Sequence, residues 1–102
     1  MDLIPWTPYP AGSSEEVIAE SANLMTNVKM KALKSIAPTS GAYFNECDTN
    51  DPDWKHSFFG SKYDRLLKVK RQYDPDDLFW CKNCVGSDRW TEQDDGGLCT
   101  SS

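Results

Sequence analysis

Apolar residues recur at helical spacing in two stretches of this chain and lose that rhythm between them. In the first stretch Ile18, Ala22, Met25, Ala32 and Ile36 fall near one face over about two dozen residues. Ser13 is placed as the N-cap and Glu16 at the third helical position of a capping box, with Glu15 and Glu16 where the helix dipole favours acids. Asn23, Thr26 and Asn27 are the weak points of this helix, and Pro38 and Gly41 end it. A second helix is expected from Ser61, with Asp64 as a weaker capping partner. Tyr63, Leu66, Leu67 and Tyr73 share its apolar face, and Asp64 and Lys68 pair across one turn. Pro75 stops it by disfavouring the helical conformation at Asp74.

Between the helices, Tyr43-Phe44-Asn45 reads as a short strand on aromatic content, and Asp48 to Asp53 as a turn-rich loop. Residues 1–12 form a Pro-rich opening segment, and residues 81–102 a Cys- and Gly-rich tail expected to be irregular. The fold class predicted is α+β with helix dominant, in a single domain over 1–102 whose core spans 13–80.

A chain of 102 residues is one domain by the usual prior and buries roughly two-thirds of its unfolded surface. Four Trp, four Tyr and four Phe offer a small core, while a mean hydropathy of −0.65, six Pro and six Gly fit a loop-rich one. Sixteen acids against eleven bases leave a net charge of −5, which disfavours nucleic acid as a partner. Lys29, Lys31 and Lys34 read as a solvated helix face. No apolar run reaches the roughly 18 residues of a membrane span, so no membrane partner is expected. An acid at position 2 and prolines at 5, 8 and 10 argue against an export signal.

Cys47, Cys81, Cys84 and Cys99 point the other way, since an even cysteine count suits an oxidising compartment; localisation is left open. Of the three pairings that four cysteines allow, Cys84–Cys99 is preferred because it ties down the tail, a closure worth about 3 kcal/mol by loop entropy. Cys81-Lys82-Asn83-Cys84 has the spacing of half a zinc site or a redox dithiol. It lacks a second ligand pair and a βαβ setting, so a structural disulfide or free thiols are expected. His56 is the only histidine, which excludes a catalytic triad or a multi-histidine metal site. Asp74-Pro75-Asp76-Asp77 is read as a helix-ending turn, because the Gly and terminal Glu of a calcium loop are missing.

One ordered set of residues carries more. Gly41-Ala42-Tyr43-Phe44-Asn45-Glu46-Cys47-Asp48 is followed by Trp54, then Phe59-Gly60, Tyr63 and Arg65-Leu66, then Lys70, Tyr73-Asp74-Pro75 and Phe79. This succession resembles the C-terminal segment of berberine-bridge-enzyme-like, FAD-linked oxidoreductases. The ending Val85-Gly86-Ser87, Trp90 and Leu98-Cys99 is similar to their fungal-type members. The resemblance implies part of a vanillyl-alcohol-oxidase-type substrate domain, a role in secondary metabolism and a family whose members are often secreted. It also implies FAD as cofactor, although the family's large flavin-binding domain and its covalent flavin tethers lie outside these residues.

By that resemblance Asn45 lies near the flavin ring and Glu46 occupies the position where several members carry a Tyr base; the residues alone also allow Asn45 as a turn residue and Glu46 as a solvated or salt-bridged acid, and Tyr43 is a cofactor contact or a core aromatic. Glu46 departs from that Tyr. A carboxylate serves the same end when burial raises its pKa. Two functions are compatible with these residues. One is the C-terminal portion of an oxidoreductase that oxidises a small alcohol or metabolite only together with a flavin domain. FAD is then not bound by this chain alone, since Gly96-Gly97 sits in an acidic tail rather than at a helix start. The other is a cofactor-free isomerase or cyclase reusing the same surface, with a non-catalytic remnant as the plainest alternative. In the second case the aromatics Trp6, Trp54, Phe58, Phe59 and Trp80 line an apolar pocket or, equally, form an orphaned interface where a flavin domain once packed, with self-association the expected outcome.

Overall fold

The computed structural model of the chain describes residues 3–100. It divides into two compact units, Met1–Asp53 and Trp54–Ser102. In the first unit, helix α1 runs Glu15–Leu24, passes through a wider π-helical stretch at Met25–Met30, and continues as α2, Lys31–Ile36. The N-cap is Ser14 rather than Ser13: its Oγ accepts the Val17 N–H at 3.5 Å. Ser13 belongs to the preceding turn, where its N–H and its hydroxyl both donate to the Pro10 carbonyl, at 3.2 and 2.7 Å. The cap moves on by one residue, so Val17 takes the third helical position and Glu15 and Glu16 act through the dipole alone.

The π stretch begins among weak helix formers. There Asn27 donates to the Asn23 side chain, and the Thr26 hydroxyl donates to Asp48 Oδ2 at 2.6 Å. Ala37 leaves the helix with φ −136°, as a residue before proline does. Polar tethers fasten the helix to the segments on either side of it. Lys34 Nζ reaches both carboxylate oxygens of the buried Asp51 at 2.7 Å, and Lys29 Nζ donates to the Trp6 carbonyl. Asp48 and Asp51 also accept the N–H groups of Asn50 and Asp53, each at 2.9 Å, which makes the expected loop a pair of Asx turns. The apolar residues Val17, Ile18, Leu24, Val28 and Ile36 stay exposed.

The strand expected at Tyr43-Phe44-Asn45 is a 3₁₀ turn, Phe44–Glu46, closed by the Glu46 N–H on the Tyr43 carbonyl at 3.0 Å. Aromatic content favours a strand only where a partner strand completes the ladder, and this segment has none among the described residues.

The second unit opens with a helix that the apolar spacing does not predict, α3, Trp54–Phe59, followed by a 3₁₀ turn at Gly60–Lys62 and α4, Tyr63–Tyr73. Gly60 has φ +55°, and that left-handed residue delays α4 from Ser61 to Tyr63. Tyr63, 9% exposed, is the single buried hydrophobic residue among those described. Trp54 and Phe59 close on it with ring centroids 5.7 and 5.9 Å away. Leu66 and Tyr73, assigned to the same face, remain exposed.

Asp74 caps α4 and folds its carboxylate under the following turn, where the Leu78 and Phe79 N–H groups donate to it at 2.9 and 3.1 Å and Lys70 pairs with it. The helix pair used is therefore Lys70 with Asp74. A second turn joins Cys81 to Cys84 by a disulfide, closed by the Cys84 N–H on the Cys81 carbonyl at 3.1 Å. This replaces the preferred Cys84–Cys99 bridge. The turn brings the two Cα atoms to 5.3 Å, within disulfide reach, while Cys99 lies exposed on a strand and Cys47 half-buried, both as free thiols.

The tail is not irregular throughout. Strands β1, Trp90–Glu92, and β2, Leu98–Thr100, pair antiparallel with Trp90 opposite Thr100, Thr91 opposite Cys99 and Glu92 opposite Leu98. Gly96, at φ +81°, supplies the left-handed residue of the connecting turn. The fold is thus α+β with helix dominant.

Candidate functional site

The three residues singled out for chemistry share one turn of the first unit. Tyr43 leads into the 3₁₀ turn with extended backbone, at φ −75° and ψ 121°, and Asn45 and Glu46 lie within it. The Asn45 amide donates from Nδ2 to the Tyr43 hydroxyl at 3.0 Å, which holds amide and phenol side by side. All three residues are exposed, Tyr43 to 66%. The burial that base catalysis asks of a carboxylate is not provided around Glu46 by the described residues. Behind the turn, Cys47 donates from Sγ to the Phe44 carbonyl at 2.8 Å. Burial pushes its thiol above the usual range, against the pull of a backbone hydrogen bond and with Asp48 and Asp51 adding to the rise. It is therefore a weak nucleophile.

The second unit holds two polar clusters that sequence reasoning passed over. In one, Asp88 accepts from Lys55 Nζ at 2.8 Å and from the Tyr63 hydroxyl at 3.0 Å, and the Tyr63 oxygen accepts the Gly86 N–H at 3.3 Å. Lys55 Nζ also lies 5.0 Å from the Tyr63 ring centre and 5.5 Å from that of Trp54. Burial alone would raise the Asp88 carboxyl, but the hydrogen bonds from Lys55 and Tyr63 outweigh it and hold the group below the usual range. The Tyr63 phenol is pushed up by burial, opposed by the Gly86 N–H and supported by the Asp88 charge. Lys55 is raised mainly by its bond to Asp88. A phenol held protonated beside a paired carboxylate is a brace between α3, α4 and the Gly86 turn, rather than a base.

In the other cluster, the buried Asp77 accepts from Trp90 Nε1 at 2.8 Å and from Arg89 Nη1 at 3.0 Å, with Lys70 Nζ at 3.7 Å. Asp77 carries φ +55°, a conformation Asp tolerates better than most residues. Of these residues Trp54, Tyr63, Lys70, Gly86 and Trp90 stood out as parts of the family succession, and Asp77 only as part of a helix-ending turn. His56 lies exposed on α3, and no group of His, Cys, Asp and Glu among the described residues could hold a metal ion. Gly96 and Gly97 sit in the hairpin turn, away from any helix start.

Known proteins resemble this chain. Residues 42–86, which contain the Tyr43–Glu46 turn, match the family described as berberine and berberine-like. The FAD-linked oxidoreductase apf9 of Gibberella fujikuroi is 45% identical over 84 residues, 82% of this chain and 14% of that protein. The FAD-linked oxidoreductase patO of Aspergillus clavatus is 39% identical over 93 residues, 91% of this chain and 16% of its own length. Among solved structures, the VAO-type flavoprotein MtVAO713 from Myceliophthora thermophila C1 superposes with a TM-score of 0.87 at 41% identity, over 90% of this chain and 16% of that one. The chain thus spans about a sixth of the length of the relatives it matches.

Proposed function

We propose that this chain, which belongs to the berberine-bridge-enzyme-like family of FAD-linked oxidoreductases and corresponds to a C-terminal segment of it, supplies the flavin-facing turn of such an enzyme. The reaction is oxidation of a small alcohol or metabolite of secondary metabolism, carried out together with a flavin domain. The observation that supports this reading is the Tyr43–Asn45 pair, an exposed phenol ring and an amide fixed 3.0 Å from its hydroxyl on one tight turn.

A planar ring beside an amide with an open carbonyl fits the edge of a flavin ring system. The described residues around it offer no glycine-rich helix start for a pyrophosphate. The flavin, when bound, supplies the hydride acceptor. Asn45 orients the ring edge through its amide, and Tyr43 fixes the amide. Glu46, next on the turn, takes the substrate hydroxyl proton on a carboxylate oxygen once a partner surface covers it.

The test is spectroscopic. The chain alone, mixed with FAD, is expected to stay colourless. In complex with the flavin-loaded body of a relative it should shift the visible flavin band, and Asn45→Ala should remove that shift. Flavin binding by the chain alone, or an unchanged shift with Asn45→Ala, would refute the assignment. Turnover of a metabolite by the colourless chain would favour a cofactor-free enzyme instead.

A further inference from the structure

The two most exposed large hydrophobic residues among those described are adjacent, Leu78 at 84% and Phe79 at 81%, and the turn that carries them is among the most heavily braced parts of the molecule. Both backbone N–H groups are held by Asp74, the Phe79 carbonyl accepts from Lys70 Nζ at 3.2 Å, and Lys70 is itself paired with Asp74. Asp77, the residue before Leu78, is buried, adopts φ +55° and is pinned by Arg89 and Trp90. The backbone that carries the pair is fixed by these bonds while both side chains stay exposed, and Tyr73, 77% exposed, lies just ahead of Asp74. Rigid apolar side chains presented without an ordering penalty are what interface anchors look like.

We propose that the Asp74–Phe79 turn is a docking knob, and that its occupant is an apolar pocket on the flavin-bearing body of an FAD-linked oxidoreductase; this rests on the function proposed above. Two observations favour that occupant over a second copy of this chain. The turn lies inside residues 42–86, the family segment, and in the relatives that share it about five-sixths of the protein lies outside the matched part. A two-fold contact through a convex knob would also bring the exposed Asp76 against its own copy, between chains of net charge −5 each.

The test is co-expression of the tagged 102-residue chain with the Gibberella fujikuroi FAD-linked oxidoreductase lacking its own matching segment, reading retained protein and bound flavin. The wild-type chain should give a soluble, yellow complex. Leu78→Asp with Phe79→Ser should weaken it by roughly tenfold or more, and Phe79→Ala alone should give an intermediate loss. Because both side chains are exposed, the variants should keep the circular dichroism and melting midpoint of the wild type, which separates docking from folding. Equal retention of wild type and variants would overturn the knob and leave the functional reading standing. No complex with the wild type would overturn both. A dimer of the chain alone that the double variant dissociates would assign the knob to a second copy and overturn the proposal.

Discussion

Replacing Tyr63 with Phe tests the reading of the Lys55–Asp88–Tyr63 cluster as a brace. The change keeps the ring among Trp54 and Phe59 and removes only the oxygen that donates to Asp88 and accepts the Gly86 N–H. Gly86 is buried, so its N–H loses a partner without gaining water, at about 1–3 kcal/mol. Asp88 keeps Lys55 and is half-exposed, so its share is smaller, on the order of 0.5 kcal/mol. The total, about 2 kcal/mol, corresponds to a fall in melting midpoint of roughly 10 °C for a domain of this size.

Tryptophan fluorescence during thermal unfolding reads this out, because Trp54 and Trp80 lie in the same unit. The pH dependence adds a second check. Asp88 is lowered in the folded chain, so its contribution is present above the unfolded carboxylate pKa of about 3.9 and is lost as pH falls through the folded value. Tyr63 is raised, so its contribution is present below the unfolded phenol pKa of about 10 and is lost as pH rises through the folded one. Tyr63→Phe should abolish the alkaline loss due to Tyr63 and diminish the acid one. A midpoint within about 2 °C of wild type, with both limbs unchanged, would refute the brace.

Gly86→Ala should destabilise by about 1–2 kcal/mol, because φ is +84° and the added Cβ would lie 3.3 Å from Leu67 Cδ1. Gly96→Ala, with open space around it, should show only the backbone share, and equal effects of the two in chemical denaturation would argue against the close approach. Thiol titration of the unreduced chain should find Cys99 reacting fast and Cys47 slowly, with Cys81 and Cys84 silent. Cys81→Ser with Cys84→Ser should cost about 2 kcal/mol, the loop-entropy value for so short a closure, and four reactive thiols in the native chain would contradict the bridge. In a flavin-loaded complex, Glu46→Gln should slow substrate oxidation by roughly 10²–10⁴-fold, whereas an intact rate would remove Glu46 from the reaction.

Prolines wrote themselves plainly into the sequence: Pro38 and Pro75 each end a helix at the residue before them, Ala37 and Asp74. Helical periodicity located α1, α2 and α4 for the same local reason. The N-cap slipped from Ser13 to Ser14 because the competing acceptor, the Pro10 carbonyl, is not a side-chain signal. Helix α3 was hidden because its residues, Trp54-Lys55-His56-Ser57-Phe58-Phe59, are too few to show a period. Tyr43, Asn45 and Glu46 were legible as a group only through the family pattern, and their placement on a 3₁₀ turn depends on the absence of a neighbouring strand among the described residues. Asp77 and Asp88 were illegible because Trp90 lies 13 residues from the first, and Tyr63 and Lys55 lie 25 and 33 residues from the second, pairings that no local pattern encodes.

The first unit is latched by Lys34 on Asp51 and by Thr26 on Asp48, with its aliphatic side chains left in contact with solvent. The heat-capacity increment of unfolding comes from apolar surface newly wetted, so a unit that leaves Val28 56% and Ile36 78% exposed has less to release than one that buries them. Its free energy therefore varies gently with temperature and responds instead to ionic strength, since Lys34 is accessible enough for salt to screen it. The turn bearing Tyr43, Asn45 and Glu46 thus sits in the half of the chain that gains most from being covered. The apolar area its helix exposes would contribute hydrophobic free energy wherever it were covered.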